Sequence, residues 1–180
     1  MSKQRVSSER ARPHSLQLAQ SLIIERPRAT VFHFLTHRLP DCYRALSDAH
    51  DRFVVEGGGP VRADSVIDCR ERAKNQEVHH RYVVAAYQQD RHLYFASCPT
   101  KTFIHLKQRV IPGESDTHVY YDLADSGAGT ELTFNLVIEL QHLAQKLLAL
   151  ASGSLGLWRG HMMEELGRLK LLLEQNSPAA

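Results

Sequence analysis

The hydrophobic period of the chain changes once, near residue 141, and this change constrains the fold more than any other feature. Between residues 131 and 140 apolar and polar side chains alternate, as in a strand with one buried and one solvated face. From 141 to 175 apolar residues recur at steps of three and four, which predicts one amphipathic helix of about eight or nine turns. Each element needs an apolar partner, so the helix should lie across the concave face of a curved sheet.

Six further strands are predicted upstream, rich in Val, Ile, Tyr and Phe and joined by short linkers typical of antiparallel hairpins. They cover residues 16–25, 61–72, 77–87, 91–97, 103–111 and 117–123. Two short helices are predicted after the first strand, over residues 29–37 and 41–50, with Pro27 and Pro40 at permitted helix starts. Residues 57–60, Gly-Gly-Gly-Pro, form the strongest break in the sequence.

Four glycines lie within the predicted final helix, at Gly153, Gly156, Gly160 and Gly167. Each costs about 1 kcal/mol relative to alanine in a helix interior, so their presence needs an explanation. Three explanations are open: close approach of the helix to the sheet, a bend or break near 153–156, and space cleared for a ligand.

Composition and charge indicate one soluble globular domain. The 180 residues include 22 basic and 20 acidic side chains, a net charge of +2, which gives no general attraction to nucleic acid or anionic membrane. No segment approaches the roughly 20 apolar residues that span a bilayer. We expect a flexible N-terminal arm (residues 1–14), a single ligand-binding domain (15–176) and a short tail (177–180).

The three cysteines, Cys42, Cys69 and Cys98, are odd in number and widely spaced, which argues against a disulfide framework or a structural zinc knuckle. The basic first twelve residues are not followed by an apolar segment, so they do not form a secretory signal. Together these features predict a cytoplasmic protein.

Three segments resemble the START-like, or SRPBCC, superfamily: residues 24–32 (IERPRATVF), 57–67 (GGGPVRADSVI) and 158–170 (WRGHMMEELGRLK). The last is similar to the gripping helix of the polyketide cyclase/dehydratase branch, whereas Asp64 stands where many relatives have glycine. The resemblance covers residues 16–174. It implies an α+β helix-grip fold, in which a curved seven-stranded antiparallel sheet wraps around a long C-terminal helix, with two short helices after the first strand.

The same resemblance implies an apolar cavity for lipids, polyketides, quinones or hormones. Some members of the superfamily are carriers, some are cyclases, and some are oxygenase subunits with a catalytic iron. Fold alone does not choose among these functions.

Signatures of metal, cofactor or nucleophile chemistry are missing from the sequence. His33 and His37 are four residues apart, but Phe34 stands where a zinc protease needs glutamate, and two ligands do not complete a site. A triad of two histidines and a carboxylate cannot be assigned from the sequence. No dinucleotide or phosphate-binding glycine motif occurs, so no metal and no cofactor are expected.

Strand alternation indicates which side chains face the cavity. On residues 77–87 the face with His80, Tyr82 and Val84 is the less charged one, and Tyr121 lies on the more apolar face of residues 117–123. A neutral imidazole beside phenols could polarise a ketone or accept a proton, so His80, Tyr82 and Tyr121 are candidate catalytic residues. The alternative is that these rings are core packing with satisfied polar tips. The predicted ligand-binding set is His80, Tyr82, Val84, Tyr94, Ile104, Leu106, Tyr121, Phe134, Leu155, Trp158 and Met162.

Three functions follow as hypotheses. The favoured one is binding or transport of an apolar small molecule (lipid, polyketide, quinone or aromatic compound) between the sheet and the final helix. The alternative is a polyketide cyclase/dehydratase-type enzyme that uses His80 with Tyr82 or Tyr121 as acid–base groups. A third is a protein-interaction domain, and whether the chain forms a homodimer stays open.

Overall fold

The structure is a computed structural model and describes residues 14–107, 109–151 and 153–175, without the side chains of Leu106 and Leu148. Apart from His14, the predicted arm over residues 1–14 and the tail over 177–180 lie outside the described residues. The predicted domain limits, 15–176, remain a prediction about the whole chain.

Seven strands form one antiparallel sheet in the order β1-β7-β6-β5-β4-β3-β2. The strands are β1 (Ser15–Ile24), β2 (His50–Val55), β3 (Val66–Ala73), β4 (Gln76–Gln88), β5 (His92–Leu106), β6 (Arg109–Ser126) and β7 (Gly129–Leu140). Between β1 and β2 lie α1 (Arg28–His33), a π-helical turn (Phe34–Arg38) and α2 (Leu39–Leu46). The chain ends in α3 (Leu143–Ala151) and α4 (Ser154–Gln175).

Helix α4 packs its apolar stripe against the inner face of the sheet. Met162, Leu166, Leu169 and Leu173, at steps of four, three and four, are buried in the same core as inward residues of the strands. The Arg26 side chain, just after β1, donates hydrogen bonds to two carbonyls at the C-terminal end of α4. The predicted helix-grip architecture, a curved antiparallel sheet around a C-terminal helix, is therefore confirmed.

The number of strands agrees with the prediction, but the strands are not all the same segments. His50, placed at the end of the second predicted helix, begins β2 instead. Strand β2 pairs only with β3 and has three polar residues at its start, so its sequence lacks the alternation that marked the others. Predicted segments 91–97 and 103–111 do not form separate strands, because β5 continues through an irregularity between Ser97 and Thr100.

The C-terminal helix is broken, which corrects the prediction of one continuous helix over 141–175. Gly153 adopts a left-handed backbone conformation, with φ of +73°, between α3 and α4. Gly156, Gly160 and Gly167 are exposed, and no described neighbouring atom lies within 4 Å of the Cβ position at each of them. Close packing on the sheet and space cleared for a ligand therefore do not explain these glycines, whereas a break at Gly153 does explain that residue.

Helix α3 consequently has its own orientation. Leu147, predicted as part of the buried stripe, is exposed, as are Leu143 and Leu150. Within the described residues, no helix combines the length and apolar character needed to cross a bilayer.

The turn between β6 and β7 packs closely against the end of β1 and the residues that follow it, and a substitution at Gly129 tests this contact. Gly129 has φ of +142°, and a Cβ there would lie 2.2 Å from the Ile24 carbonyl oxygen and 2.9 Å from the Arg26 nitrogen. We expect Gly129→Ala to lower the free energy of unfolding by about 3 kcal/mol, because backbone strain and steric overlap act together. Urea denaturation followed by circular dichroism measures this change.

Gly127, two residues away in the same turn, is the matched control because no described atom beyond its chain neighbours lies within 4 Å of its Cβ position. Gly127→Ala should change the unfolding free energy by no more than about 0.5 kcal/mol. Equal stability of the two variants would contradict the proposed crowding at Gly129.

Candidate functional site

A cavity of about 460 Å³ lies between α4 and the inner face of the sheet. Its walls are mainly apolar and come from strands β4 to β7 and from both C-terminal helices. Its inner end is polar, since Glu71, His80, His161 and Glu165 also line it. The cavity thus combines a large apolar wall with a few convergent polar groups, which is typical of small-molecule sites.

Most of the predicted ligand-binding residues line this cavity. They are His80, Tyr82, Ile104, Phe134, Leu155, Trp158 and Met162. Val84 and Tyr121 are buried in the adjoining core but do not line the cavity. The side chain of Leu106 lies outside the described part of the structure.

The placement of Tyr94 in the cavity was wrong. Leu93 and Phe95, its neighbours on β5, are buried on the inner face, so strand alternation directs Tyr94 to the outer face. There its ring stacks on Tyr120, with centroids 4.5 Å apart, and its hydroxyl forms a 2.7 Å hydrogen bond with Nδ1 of His118. The outer face of this part of the sheet therefore has its own aromatic cluster.

The hydrogen bonds of Thr100 fix the tautomer of His80. The Thr100 hydroxyl donates to the Ser97 carbonyl at 3.3 Å, so its oxygen accepts the 3.1 Å bond from Nδ1 of His80. With the proton on Nδ1, Nε2 carries a lone pair, and no hydrogen-bond partner for it is found among the described residues. Burial lowers the pKa of His80 from 6.5 to about 4, because desolvation disfavours the imidazolium.

Tyr82 stacks against His80 and supplies the complementary polar group. The ring centroids are 4.6 Å apart with an interplanar angle of 13°. Burial raises the pKa of Tyr82 well above its usual value, so the phenol stays protonated and remains a hydrogen-bond donor. The lining thus presents an acceptor, His80 Nε2, beside a donor, the Tyr82 hydroxyl.

A second polar group in the site, which was not among the residues predicted from the sequence, comprises His50, His161 and Glu165 with Glu71 beside them. Nε2 of His50 lies 3.2 Å from Nε2 of His161 and 3.9 Å from Oε2 of Glu165. Nε2 of His161 also lies 3.6 Å from Oε2 of Glu71. Among the described residues, His50, His161 and Glu165 are the one set of three or more metal-ligating side chains whose donor atoms all lie within 4.8 Å of one another.

The pKa values of Glu71, His161 and Glu165 depend on one another because these side chains are buried close together. Burial acts to raise the pKa of Glu71, but contact with His161 and the nearby His80 outweighs it and holds that pKa well below the usual range. Burial raises the pKa of Glu165 above its ordinary value. Desolvation acts to lower the pKa of His161, yet Glu71 and Glu165 raise it overall.

Part of this cluster had a sequence signal. His161 and Glu165 are four residues apart on α4, beside the stripe residues Met162 and Leu166, so they share a face that is only partly solvent-exposed. His50 had none, because it reaches the cluster only through the turn between α2 and the short edge strand β2. His33 and His37, which the sequence did not support as a metal site, stack on each other with ring centroids 4.2 Å apart.

Comparison with known proteins supports the fold. No protein-family model matches the chain, and no curated protein matches it. Among solved structures, major latex-like protein 151 from Panax ginseng matches with a TM-score of 0.61 and 10% identity, over 87% of this chain and 96% of that one. The chain shares the helix-grip fold of this solved structure.

Two further solved structures extend the comparison. The KanY protein, determined in solution by NMR, matches with a TM-score of 0.62 and 14% identity, over 89% of this chain and 98% of that chain. DynU16, from the dynemicin biosynthetic locus, matches with a TM-score of 0.51 and 12% identity, over 92% of this chain and 49% of that chain. Identities this low establish a shared fold and leave the function to the site itself.

The depressed pKa of His80 predicts a pH-dependent stability term. The unfolded chain binds a proton at His80 below about pH 6.5, whereas the folded chain does so only near pH 4, so acid favours unfolding. Between these values His80 should lower the unfolding free energy by about 1.4 kcal/mol per pH unit as the pH falls. Above pH 6.5 the full stabilisation is retained.

Urea denaturation of the wild type and of His80→Asn, from pH 7.5 to 4, measures this term. Asparagine retains a donor near the Nδ1 position but does not titrate, so the variant should show a shallower loss of stability below pH 6.5. Parallel curves for the two proteins would contradict a neutral, buried His80.

Proposed function

We propose that this protein binds an apolar small molecule in the cavity beneath α4, and that the preferred ligand is a hydroxylated aromatic or polyketide-like compound. The observation that carries this proposal is the cavity itself, about 460 Å³ with mainly apolar walls and a polar inner end. Burial of the ligand's apolar surface supplies the binding free energy, and the polar end orients it.

The cavity volume favours a compact ligand. Small-molecule sites range from about 300 to 1,000 Å³, and this cavity lies in the lower half of that range. Aromatic side chains of Tyr82, Phe134 and Trp158 contribute flat apolar surfaces to its walls. A ring system of a few fused rings suits this volume and these surfaces better than a lipid with two acyl chains.

The stacked pair His80 and Tyr82 favours a ligand with two oxygen functions. Nε2 of His80 can accept a hydrogen bond from a ligand hydroxyl, and the Tyr82 hydroxyl can donate one to a ligand carbonyl. A hydroxyl next to a carbonyl on an aromatic framework satisfies both groups at once.

The enzymatic alternative, a cyclase or dehydratase that uses His80 with Tyr82 or Tyr121, is less well supported. A general base works best with a pKa near the working pH, and the His80 pKa of about 4 makes it a weak base at neutral pH. Tyr121 donates its hydroxyl to Oε1 of Glu165 at 3.3 Å and does not line the cavity. These features favour binding over acid–base catalysis by these residues.

The remaining expectations concern the setting of the protein. A cytoplasmic location and the lack of a nucleic-acid or integral-membrane partner are predictions from the sequence. The sequence leaves both a monomer and a homodimer open. Light scattering after size-exclusion chromatography distinguishes a monomer from a dimer.

The single tryptophan gives a direct assay of binding. Trp158 lines the cavity and donates its indole N–H to Gln76 at 3.1 Å, so a bound aromatic compound should quench its fluorescence. We expect saturable quenching by 1-hydroxyanthraquinone. Thr102→Phe, which adds a ring to the cavity wall, should weaken binding at least about tenfold by steric exclusion.

Lys101→Phe is the matched control for that variant. Lys101 is the exposed neighbour of Thr102 on β5, so the same ring is added on the opposite face of the sheet. Binding should stay unchanged in this control. Equal affinities of the two variants, or no quenching of the wild type by any aromatic compound tested, would refute binding in this cavity.

The polar recognition step has its own test. Tyr82→Phe removes one hydroxyl donor and should weaken 1-hydroxyanthraquinone binding by about three- to tenfold, which corresponds to one hydrogen bond. The wild type should likewise prefer 1-hydroxyanthraquinone to anthraquinone, which lacks the hydroxyl that His80 would accept. An unchanged affinity in Tyr82→Phe and no preference between the two compounds would assign the site to shape and apolar contact alone.

A further inference from the structure

We propose that His50, His161 and Glu165 bind one divalent transition-metal ion at the inner end of the cavity. The three side chains come from β2 and α4, and their exposed fractions are 0%, 8% and 10%. This assignment depends on the geometry of the cluster and not on the identity of any organic ligand.

The separations of the donor atoms suit a shared ion. Ligands at adjacent positions around a metal with bonds of about 2.0–2.2 Å lie about 2.8–3.6 Å apart, depending on the coordination angle. The two Nε2 atoms are 3.2 Å apart, and Oε2 of Glu165 is 3.9 Å from Nε2 of His50. All three donor atoms lie within 4.8 Å of one another, and a shared ion requires the Glu165 carboxylate to move closer to the two imidazoles.

Hydrogen bonds at the far side of each imidazole direct both Nε2 lone pairs to the same point. Nδ1 of His50 lies 2.7 Å from the Tyr43 carbonyl oxygen, which can only accept, so the His50 proton is on Nδ1. Such a bond from Nδ1 to a backbone carbonyl is the usual support for a metal-binding histidine.

The second imidazole is oriented in the same way. Ser47 donates its hydroxyl to Oε2 of Glu164 at 3.0 Å, so its oxygen is an acceptor for Nδ1–H of His161 at 3.2 Å. Two Nε2 lone pairs then face each other at 3.2 Å, an arrangement that requires a cation or an added proton between them. A metal ion satisfies both nitrogens at once.

The carboxylates supply charge and are also held in place. Tyr121 donates to Oε1 of Glu165, which leaves Oε2 directed to the two imidazoles. Tyr43 donates to Oε1 of Glu71 at 2.5 Å, and Oε2 of Glu71 lies 3.6 Å from Nε2 of His161. Two buried carboxylates offset the charge of a divalent cation, which in turn offsets the cost of burying them.

The donor set indicates the kind of ion and its orientation. Two imidazole nitrogens and one carboxylate oxygen suit Zn²⁺, Fe²⁺ or Co²⁺, whereas Mg²⁺ and Ca²⁺ prefer oxygen ligands alone. Three protein ligands leave at least one coordination position open. Because His161 and Glu165 line the cavity, that position faces it, within reach of an oxygen atom on a bound molecule.

Titration of the chelator-treated full-length protein with Co²⁺ tests the site, since visible d–d bands report coordination by imidazole and carboxylate. We expect one Co²⁺ per chain with a Kd in the micromolar range or below, displacement by Zn²⁺, and no competition from Mg²⁺. Glu165→Gln, which retains the shape and an acceptor for Tyr121, should weaken Co²⁺ binding at least about tenfold. Circular dichroism confirms that the variant is folded.

The double variant His33→Gln/His37→Gln is the control, because this stacked pair is a second place, away from the cavity, where two histidine rings lie close together. Its Co²⁺ affinity and spectrum should match those of the wild type. Millimolar or weaker binding to the wild type would overturn the proposal, and so would binding that is lost in the double variant and retained in Glu165→Gln. Quenching of Trp158 by 1-hydroxyanthraquinone with chelator present is measured separately, so failure of either proposal leaves the other distinguishable.

Discussion

Burial of the α4 stripe against the inner face of the sheet is the constraint on which the other features depend. The sheet must curve to cover the helix. Strands β2 to β7 follow one another as antiparallel neighbours, and β1 pairs with β7, so the segment with α1 and α2 connects the two edge strands. Side chains of Met162, Leu166 and Leu169 are buried in the core that the helix shares with the sheet. A cavity remains between another part of α4 and the sheet.

The polar groups at the inner end of that cavity are tolerated because they satisfy one another. Glu71 accepts from Tyr43 and faces His161, and Glu165 accepts from Tyr121. A lone buried carboxylate or imidazolium would be strongly unfavourable, whereas a connected network is not. The same network holds its members in fixed orientations, which a site that recognises oxygen functions or an ion requires.

The sequence predicted those parts of the fold whose pattern is local. Alternation of apolar and polar residues identified the inward faces of β4 and β7, including His80 and Phe134. It did so because every second side chain of a strand lies on the same face. It did not identify β2, whose polar start belongs to an edge strand, or the outward direction of Tyr94. The convergence of His50 with Glu165 depends on how a turn and a helix meet in three dimensions, and no sequence period encodes that meeting.

The break at Gly153 gives the two C-terminal helices different structural roles. Helix α4 must keep its register with the sheet, so substitutions along its stripe are restricted. Helix α3 contributes Gln145 and Ala149 to the lining of the cavity. It does not have to keep that register with the sheet. The residues that α3 contributes to the cavity can therefore change during evolution, and the preferred ligand can change with them. The packing of α4 against the sheet stays the same.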